Sequence, residues 1–186
     1  MIITAKQQSF FSGYSMKFYY KSQKRIVKVW CFILCLIIVC GNLSAKRNDF
    51  VKIVDGDSLE IGKRRIRLIG IDAPEYGQYC FDNNKNKYNC GADAFSYLAK
   101  KIKTANYDVR CDVVKNDRYG RELAECFVLG ENLNLEMLRE GWAVTYRADD
   151  EMYFNAENSA KDAQKGLWRG KFMRPEYYRK LHKYKK

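Results

Sequence analysis

Val54-Asp55-Gly56-Asp57-Ser58 and, eight residues later, Ile66-Arg67-Leu68-Ile69-Gly70-Ile71-Asp72-Ala73-Pro74-Glu75 are the two runs from which the architecture unfolds. Apolar and polar residues alternate with period two on both sides of Asp55-Gly56-Asp57 and again after Gly62-Lys63. This predicts three short strands over 50–54, 58–61 and 64–71, joined by tight turns. In the third, Ile66 and Leu68 share one face while Arg65 and Arg67 line the other. The same runs concentrate chemistry. Asp57 and Asp72 offer hard oxygen ligands, Arg67 a planar fork suited to a phosphoryl group, and Glu75 a carboxylate free to handle a proton.

Outward from there, residues 76–90 are polar and read as a loop. Ala92, Phe95, Leu98, Ala99 and Ile102 recur at helical spacing. A second strand pair, 107–114 and 121–129, surrounds Asn116-Asp117-Arg118-Tyr119-Gly120. Leu133, Met137 and Leu138 mark a short helix closed by Gly141 as a left-handed cap. A third helix is expected over 149–165, with Met152, Ala156, Ala160 and Ala163 inward and Gly166 as its stop. Five strands interleaved with three helices indicate a small α+β domain on a mainly antiparallel sheet or barrel.

The 186 residues carry a net charge of +12, which attracts polyanions such as nucleic acid or an anionic membrane surface. Six of the bases, and no acid, fall in the first 45 residues. Without that segment the charge drops to +6. The segment also holds the apolar run Val29-Trp30-Cys31-Phe32-Ile33-Leu34-Cys35-Leu36-Ile37-Ile38-Val39-Cys40. It is short of the roughly 20 residues that span a bilayer. Preceded by bases and followed by Leu43-Ser44-Ala45, it reads as a signal peptide over 1–45, with Met16 as an alternative start. An uncleaved anchor through residues 29–40 is the competing reading. The domain then occupies 46–175, and 176–186 is a basic tail expected to be partly mobile and mainly solvated.

Four of the seven cysteines, Cys80, Cys90, Cys111 and Cys126, lie outside that segment. An even set in an exported chain favours disulfides, and three pairings are possible. A hairpin centred on Arg118 and Tyr119 would set Cys111 opposite Cys126, leaving Cys80 with Cys90. A bulge in that hairpin would spoil the geometry.

Absences narrow the mechanism. The only histidine is His182, so histidine triads and histidine metal clusters have no material. No Gly-rich phosphate loop is present, and the Asp-Gly-Asp run lacks the further ligands of an EF-hand. Proton transfer falls to carboxylates, lysine, tyrosine or a metal-bound water. Each cluster alone also suits a plain turn, strand exit or hairpin tip. Their joint order is what points further.

Val54-Asp55-Gly56-Asp57, the run Arg67 to Glu75, and Asp117-Arg118-Tyr119-Gly120-Arg121 together resemble the thermonuclease, or staphylococcal-nuclease-like, family. The similarity extends over about residues 50–170 and includes the run Asn134 to Ala143 and Gly166-Leu167-Trp168. The resemblance implies a five-stranded OB-fold-type β-barrel with three α-helices. It also implies Ca2+-dependent hydrolysis of DNA and RNA that leaves 3′-phosphate ends. Arg67, Glu75 and Arg121 fall on the family's catalytic positions, Asp57 and Asp72 on its calcium carboxylates, and Ala73 on the residue lending a backbone carbonyl. Asp55 matches an outer-shell acid, Arg118 and Tyr119 match nucleotide-binding positions, and Tyr146 matches a base-stacking tyrosine after a one-residue gap. Ala73 and Ser58 each replace a threonine. The expected protein is a secreted or periplasmic monomer with no obligate protein partner and no membrane contact once the signal is removed. Two rival readings are an OB-type nucleic-acid-binding module without catalysis and a membrane-anchored surface protein that binds polyanions.

Overall fold

The computed structural model of the chain describes residues 50–183. The expected signal or anchor therefore lies outside the described residues. Among those described, no helix is long and apolar enough to cross a membrane.

Strands β1 (Val51–Asp55), β2 (Ser58–Ile61) and β3 (Arg64–Leu68) form an antiparallel meander. The third expected strand is divided: Ile69-Gly70 turns the chain, and β4 (Ile71–Asp72) leaves the sheet. Strands β5 (Cys80–Asp82) and β6 (Lys87–Tyr88) follow, then helix α1 (Cys90–Thr104). The hairpin of β7 (Arg110–Asn116) and β8 (Glu122–Val128) leads through β9 (Glu131–Asn132) to α2 (Leu133–Arg139). Beyond β10 (Val144–Thr145) come α3 (Glu151–Asp162), a single 3-10 turn, β11 (Gly170–Lys171) and α4 (Pro175–Lys183).

The main sheet runs β1-β2-β3-β8-β7, with β9 added beside β8. Its one parallel step is β3 to β8. No pairing among the described residues joins β1 to β7, so the sheet is not a barrel closed by hydrogen bonds. The expectation of five strands and three helices is corrected accordingly, because four α-helices and two further small sheets are present among the described residues. The chain is α+β, and its curved meander keeps an OB-like character.

Leu59, Ile66 and Leu68 from the sheet meet Ala94, Leu98 and Ile102 of α1 and Leu133, Met137 and Leu138 of α2 in one core. The α1 line repeats every four residues, the spacing that puts side chains on one face. Asn89, Asn132 and Asp150 each accept a backbone N–H at the start of α1, α2 and α3, satisfying donors that a helix leaves open. Gly141, at φ 71°, follows the end of α2 as expected. Helix α3 ends at Asp162, before the expected Lys165, because Gln164 already adopts a left-handed φ of 51°. Met152 and Ala163, expected to face inward, are exposed, and Tyr153 is buried instead.

Two regions read as irregular are ordered. The loop over 76–90 contains the β5–β6 pair, and Cys80 is joined to Cys90. From Pro175, the supposed tail forms α4. Proline at the start of a helix and the Glu176–Lys180 pair one turn apart both favour that outcome.

Cys111 is joined to Cys126, and the two face each other in the β7–β8 ladder. The hairpin does contain a bulge, between Val113 and Lys115. Below the bulge Asn116 pairs with Glu122, a register centred on Tyr119. The extra residue shifts that register by one, so the bulge aligns the two cysteines.

A candidate metal and phosphate site

Gly62-Lys63 turns β2 into β3 so that Arg67 lies opposite Ser58, beside Asp57. The Leu68 N–H donates to the Asp57 carbonyl at 2.9 Å, fixing the turn against the strand. A side chain at Gly56 would bring its Cβ to 2.7 Å from the Cβ of Ala73 and 3.0 Å from that of Ala94. Glycine here lets the Asp-Gly-Asp turn close onto the Asp72-Ala73 segment and α1.

The second carboxylate is placed by a buried amide. Asn134 Nδ2 donates to the carbonyls of Ile69 at 2.8 Å and Ala124 at 3.1 Å, while its Oδ1 accepts from the Cys126 N–H. This ties the turn before Asp72 to β8 and α2. Val144 of β10 pairs with Asp72 on the far side.

Arg67 connects the two acids. Its Nη1 donates to Asp57 Oδ1 and its Nη2 to Asp72 Oδ1, the latter at 2.7 Å. Both carboxylates are almost sealed, at 2% and 1% exposure. Asp57 Oδ1 also accepts from Ser58 Oγ at 3.0 Å, and Oδ2 accepts from the Ala73 N–H at 2.8 Å. Burial pushes the Asp57 carboxyl up to about 8, against the lowering pull of Arg67 and with Asp55 adding to the rise. Burial opposes the charge of Arg67, yet Asp57 and Asp72 hold its guanidinium above the ordinary arginine range.

Glu75 follows on a loop clamped to α1. A Cβ on Gly91 would lie 1.7 Å from the Glu75 carbonyl oxygen, so only glycine permits that approach. The fully buried Gln78 closes the turn, donating its backbone N–H to the Glu75 carbonyl at 2.7 Å.

Arg121 stands apart from this group. Its Nε donates to Asp117 Oδ2 at 2.8 Å, and its Nη2 lies 2.8 Å from the same oxygen, so its charge is paired within the hairpin turn. Asp117 collects the whole turn, accepting also from the N–H groups of Tyr119 and Arg121. Arg118 donates to the Tyr119 hydroxyl at 2.6 Å and lies over that ring. Arg118, Tyr119 and Arg121 thus make one cationic, aromatic knob. Tyr146 is half-buried beside the turn before Asp72, its N–H donating to the Gly70 carbonyl at 2.9 Å, with Arg147 over its ring.

Three residues not singled out in the sequence take part. Asn134 and Gln78 position the acidic segments, and Arg179 of α4 reaches Asp72 and Glu75 directly. Buried amides carry no local sequence signal. The proline and the charge pair of α4 mark a helix but not its docking place.

Among the described residues no group of three or more His, Cys, Asp or Glu side chains forms a metal cage. The donor set of Asp57, Asp72 and the Ala73 carbonyl is all hard oxygen. Two buried carboxylates, one with its protonation favoured by desolvation, suit a hard divalent cation that would compensate their charge. These residues would fit a hard divalent cation such as calcium.

Residues 65–170 match the family described as staphylococcal nuclease homologue. The succinoglycan biosynthesis protein ExoI of Rhizobium meliloti (strain 1021) is 35% identical over 119 residues, covering 63% of this chain and 62% of that protein. Endonuclease YhcR of Bacillus subtilis (strain 168) is 31% identical over 132 residues, or 63% of this chain but 11% of that protein. An uncharacterized endonuclease of Escherichia coli O157:H7 is 30% identical over 156 residues, covering 78% of this chain and 90% of the relative. The chain thus spans less than two thirds of the first two and most of the third. Because the match takes in Arg67, Asp72, Glu75 and the Asp117–Arg121 knob and covers more than half of the sequence, the chain belongs to the staphylococcal nuclease homologue family.

Proposed function

We propose that this protein is a calcium-dependent nuclease that hydrolyses phosphodiester bonds in DNA and RNA with low sequence specificity and leaves 3′-phosphate ends. The observation that carries the reading is the joining of two sealed carboxylates, Asp57 and Asp72, by the single guanidinium of Arg67.

Asp57, Asp72 and the carbonyl of Ala73 would hold the cation. Bound there, calcium supplies Lewis-acid neutralisation of a phosphate oxygen and a polarised water. Arg67 uses two of its five N–H donors on the acids and keeps the others for the phosphate. Negative charge on the phosphate oxygens grows as water attacks phosphorus, so fixed donors there stabilise the transition state more than the ground state. Glu75 orients that water or takes its proton. The bond from phosphorus to the 5′ oxygen breaks, and the departing oxygen takes a proton from solvent and leaves as a hydroxyl. Arg121, Arg118 and Tyr119 bind the nucleotide, and Tyr146 offers a ring for base stacking. Recognition through phosphate and stacking reads no base edge, which supports broad substrate use.

Two disulfides among the described residues support export to an oxidising compartment. Action as a monomer is part of the same reading. The test is incubation with single-stranded DNA and with RNA in millimolar calcium and in chelator, followed by analysis of the ends. Calcium-dependent cleavage to 3′-phosphates is expected. Binding without cleavage would overturn the reading in favour of a binding module.

A further inference from the structure

Helix α4 brings a second guanidinium to the acids, from beyond the segment matched to the family. Arg179 Nη1 donates to Asp72 Oδ1 at 2.8 Å and to Glu75 Oε1 at 3.0 Å, and Nη2 donates to Asp72 Oδ2 at 2.9 Å. With Arg67 already on Oδ1, three N–H donors occupy the roughly four lone-pair sites of the Asp72 carboxylate. A cation coordinated by Asp72 would have to share those oxygens with two positive groups. Like charges so close repel, and guanidinium cannot shed its charge.

The helix is attached in a way that permits release. Among its described side chains only Pro175 is buried; Tyr178 and Arg179 are half-buried, while Tyr177 is 56% and Leu181 57% exposed. Little apolar burial, the usual source of helix stability in a folded domain, therefore holds α4. Its attachments are polar. Arg174 donates to the Thr145 carbonyl at 2.9 Å, Gln78 Nε2 to the Met173 carbonyl at 2.7 Å, and the Tyr178 hydroxyl to the Gly77 carbonyl at 3.3 Å. The Arg179 fork joins the helix itself to the sealed Asp72 and to the half-buried Glu75.

We propose that Arg179 is an intramolecular counter-ion that positions Asp72 and Glu75 in the metal-free protein and competes with the divalent cation for Asp72. Calcium binding displaces the guanidinium from Asp72 and loosens α4. This rests on the reading of Asp57 and Asp72 as calcium ligands. Arg179 is therefore a positioning residue whose release is coupled to metal loading.

Calcium titration by calorimetry on the full chain, on Arg179→Gln and on Asp72→Asn tests it. Removing the competitor is expected to tighten calcium binding by roughly tenfold, within the usual range for coupled equilibria. Hydrogen exchange of the unaltered chain should rise across residues 175–183 at saturating calcium, a readout free of any folding defect in the variant. Unchanged or weaker binding in Arg179→Gln, or exchange that stays level or falls, would overturn the proposal. If Asp72→Asn abolishes binding while Arg179→Gln leaves it unchanged, the calcium site survives and the competition alone is refuted. If no chain binds calcium, the site reading and the competition both fail.

Discussion

Gln78 donates its side-chain amide to the Met173 carbonyl at 2.7 Å, and its side-chain oxygen accepts from the Glu75 N–H at 3.3 Å. One fully buried side chain thus fastens the loop bearing Glu75 to the segment entering α4. Replacing it with Leu keeps much of the volume but leaves the Met173 carbonyl and the Glu75 N–H without that partner. A loss of about 1–3 kcal/mol is expected from unsatisfied buried groups. Urea denaturation measures it, and a change under a few tenths of a kcal/mol would refute the clamp.

Arg67→Ala should be costly and partly rescued by metal. It strips the sealed Asp72, and Asp57 once ionised, of their shared counter-charge, and breaking a buried ion pair costs about 3–5 kcal/mol. Denaturation in chelator should show most of that loss. Saturating calcium should restore part of it, because a divalent cation compensates the same charges. No rescue by calcium would argue against the acids as ligands.

Stability in chelator should fall as pH rises. The Asp57 carboxyl is raised from 3.8 to about 8 on folding, principally by burial, so the folded state holds a proton that the unfolded chain gives up. Its contribution is complete below the unfolded value of 3.8 and is lost as pH climbs through about 8. The midpoint in urea should therefore drop between pH 5 and pH 8, by at most about 1.4 kcal/mol per unit from one group. Asp57→Asn should flatten that slope. An unchanged slope in the variant would assign it to other groups.

Gly56→Ala probes the closure of the Asp-Gly-Asp turn. Its Cβ would meet the Cβ of Ala73 at 2.7 Å, which forces turn and segment apart. Overpacking of this kind costs about 1–3 kcal/mol. Calcium affinity should fall with it, since the turn carries one of the proposed ligands and the segment the others. Calorimetry that finds affinity unaltered would separate the turn from the metal site.

Much of this site is visible in local patterns. Alternation around Ile66 and Leu68 places Arg67 on the opposite face of its strand, and the turn glycines fix where Asp57 and Asp72 sit in the chain. The hairpin of Cys111 and Cys126 is legible from spacing, although its bulge is not. Long-range contacts leave no such trace. Arg179 lies 107 residues from Asp72, and no periodicity in α4 announces its target. A basic, tyrosine-rich segment reads as solvated because charge outweighs apolar content there, and the acids that capture it, the sealed Asp72 and the half-buried Glu75, are far upstream. Met152 faces outward for a related reason: helical spacing allows either it or Tyr153 inward, and the hydroxyl of Tyr153 finds Glu125 at 2.8 Å.

In the proposed reaction Asp57, Arg67, Asp72 and Glu75 act as one phosphodiester-cleaving centre. The single-turnover rate of cleavage of a single-stranded DNA oligonucleotide at saturating calcium, compared between the unaltered chain and Glu75→Gln, tests it most directly. General acid–base assistance contributes about 10²–10⁴-fold, so the variant should bind calcium normally and cleave slower by that factor. A variant that cleaves at the unaltered rate, or an unaltered chain that cleaves as fast in chelator, would contradict the account.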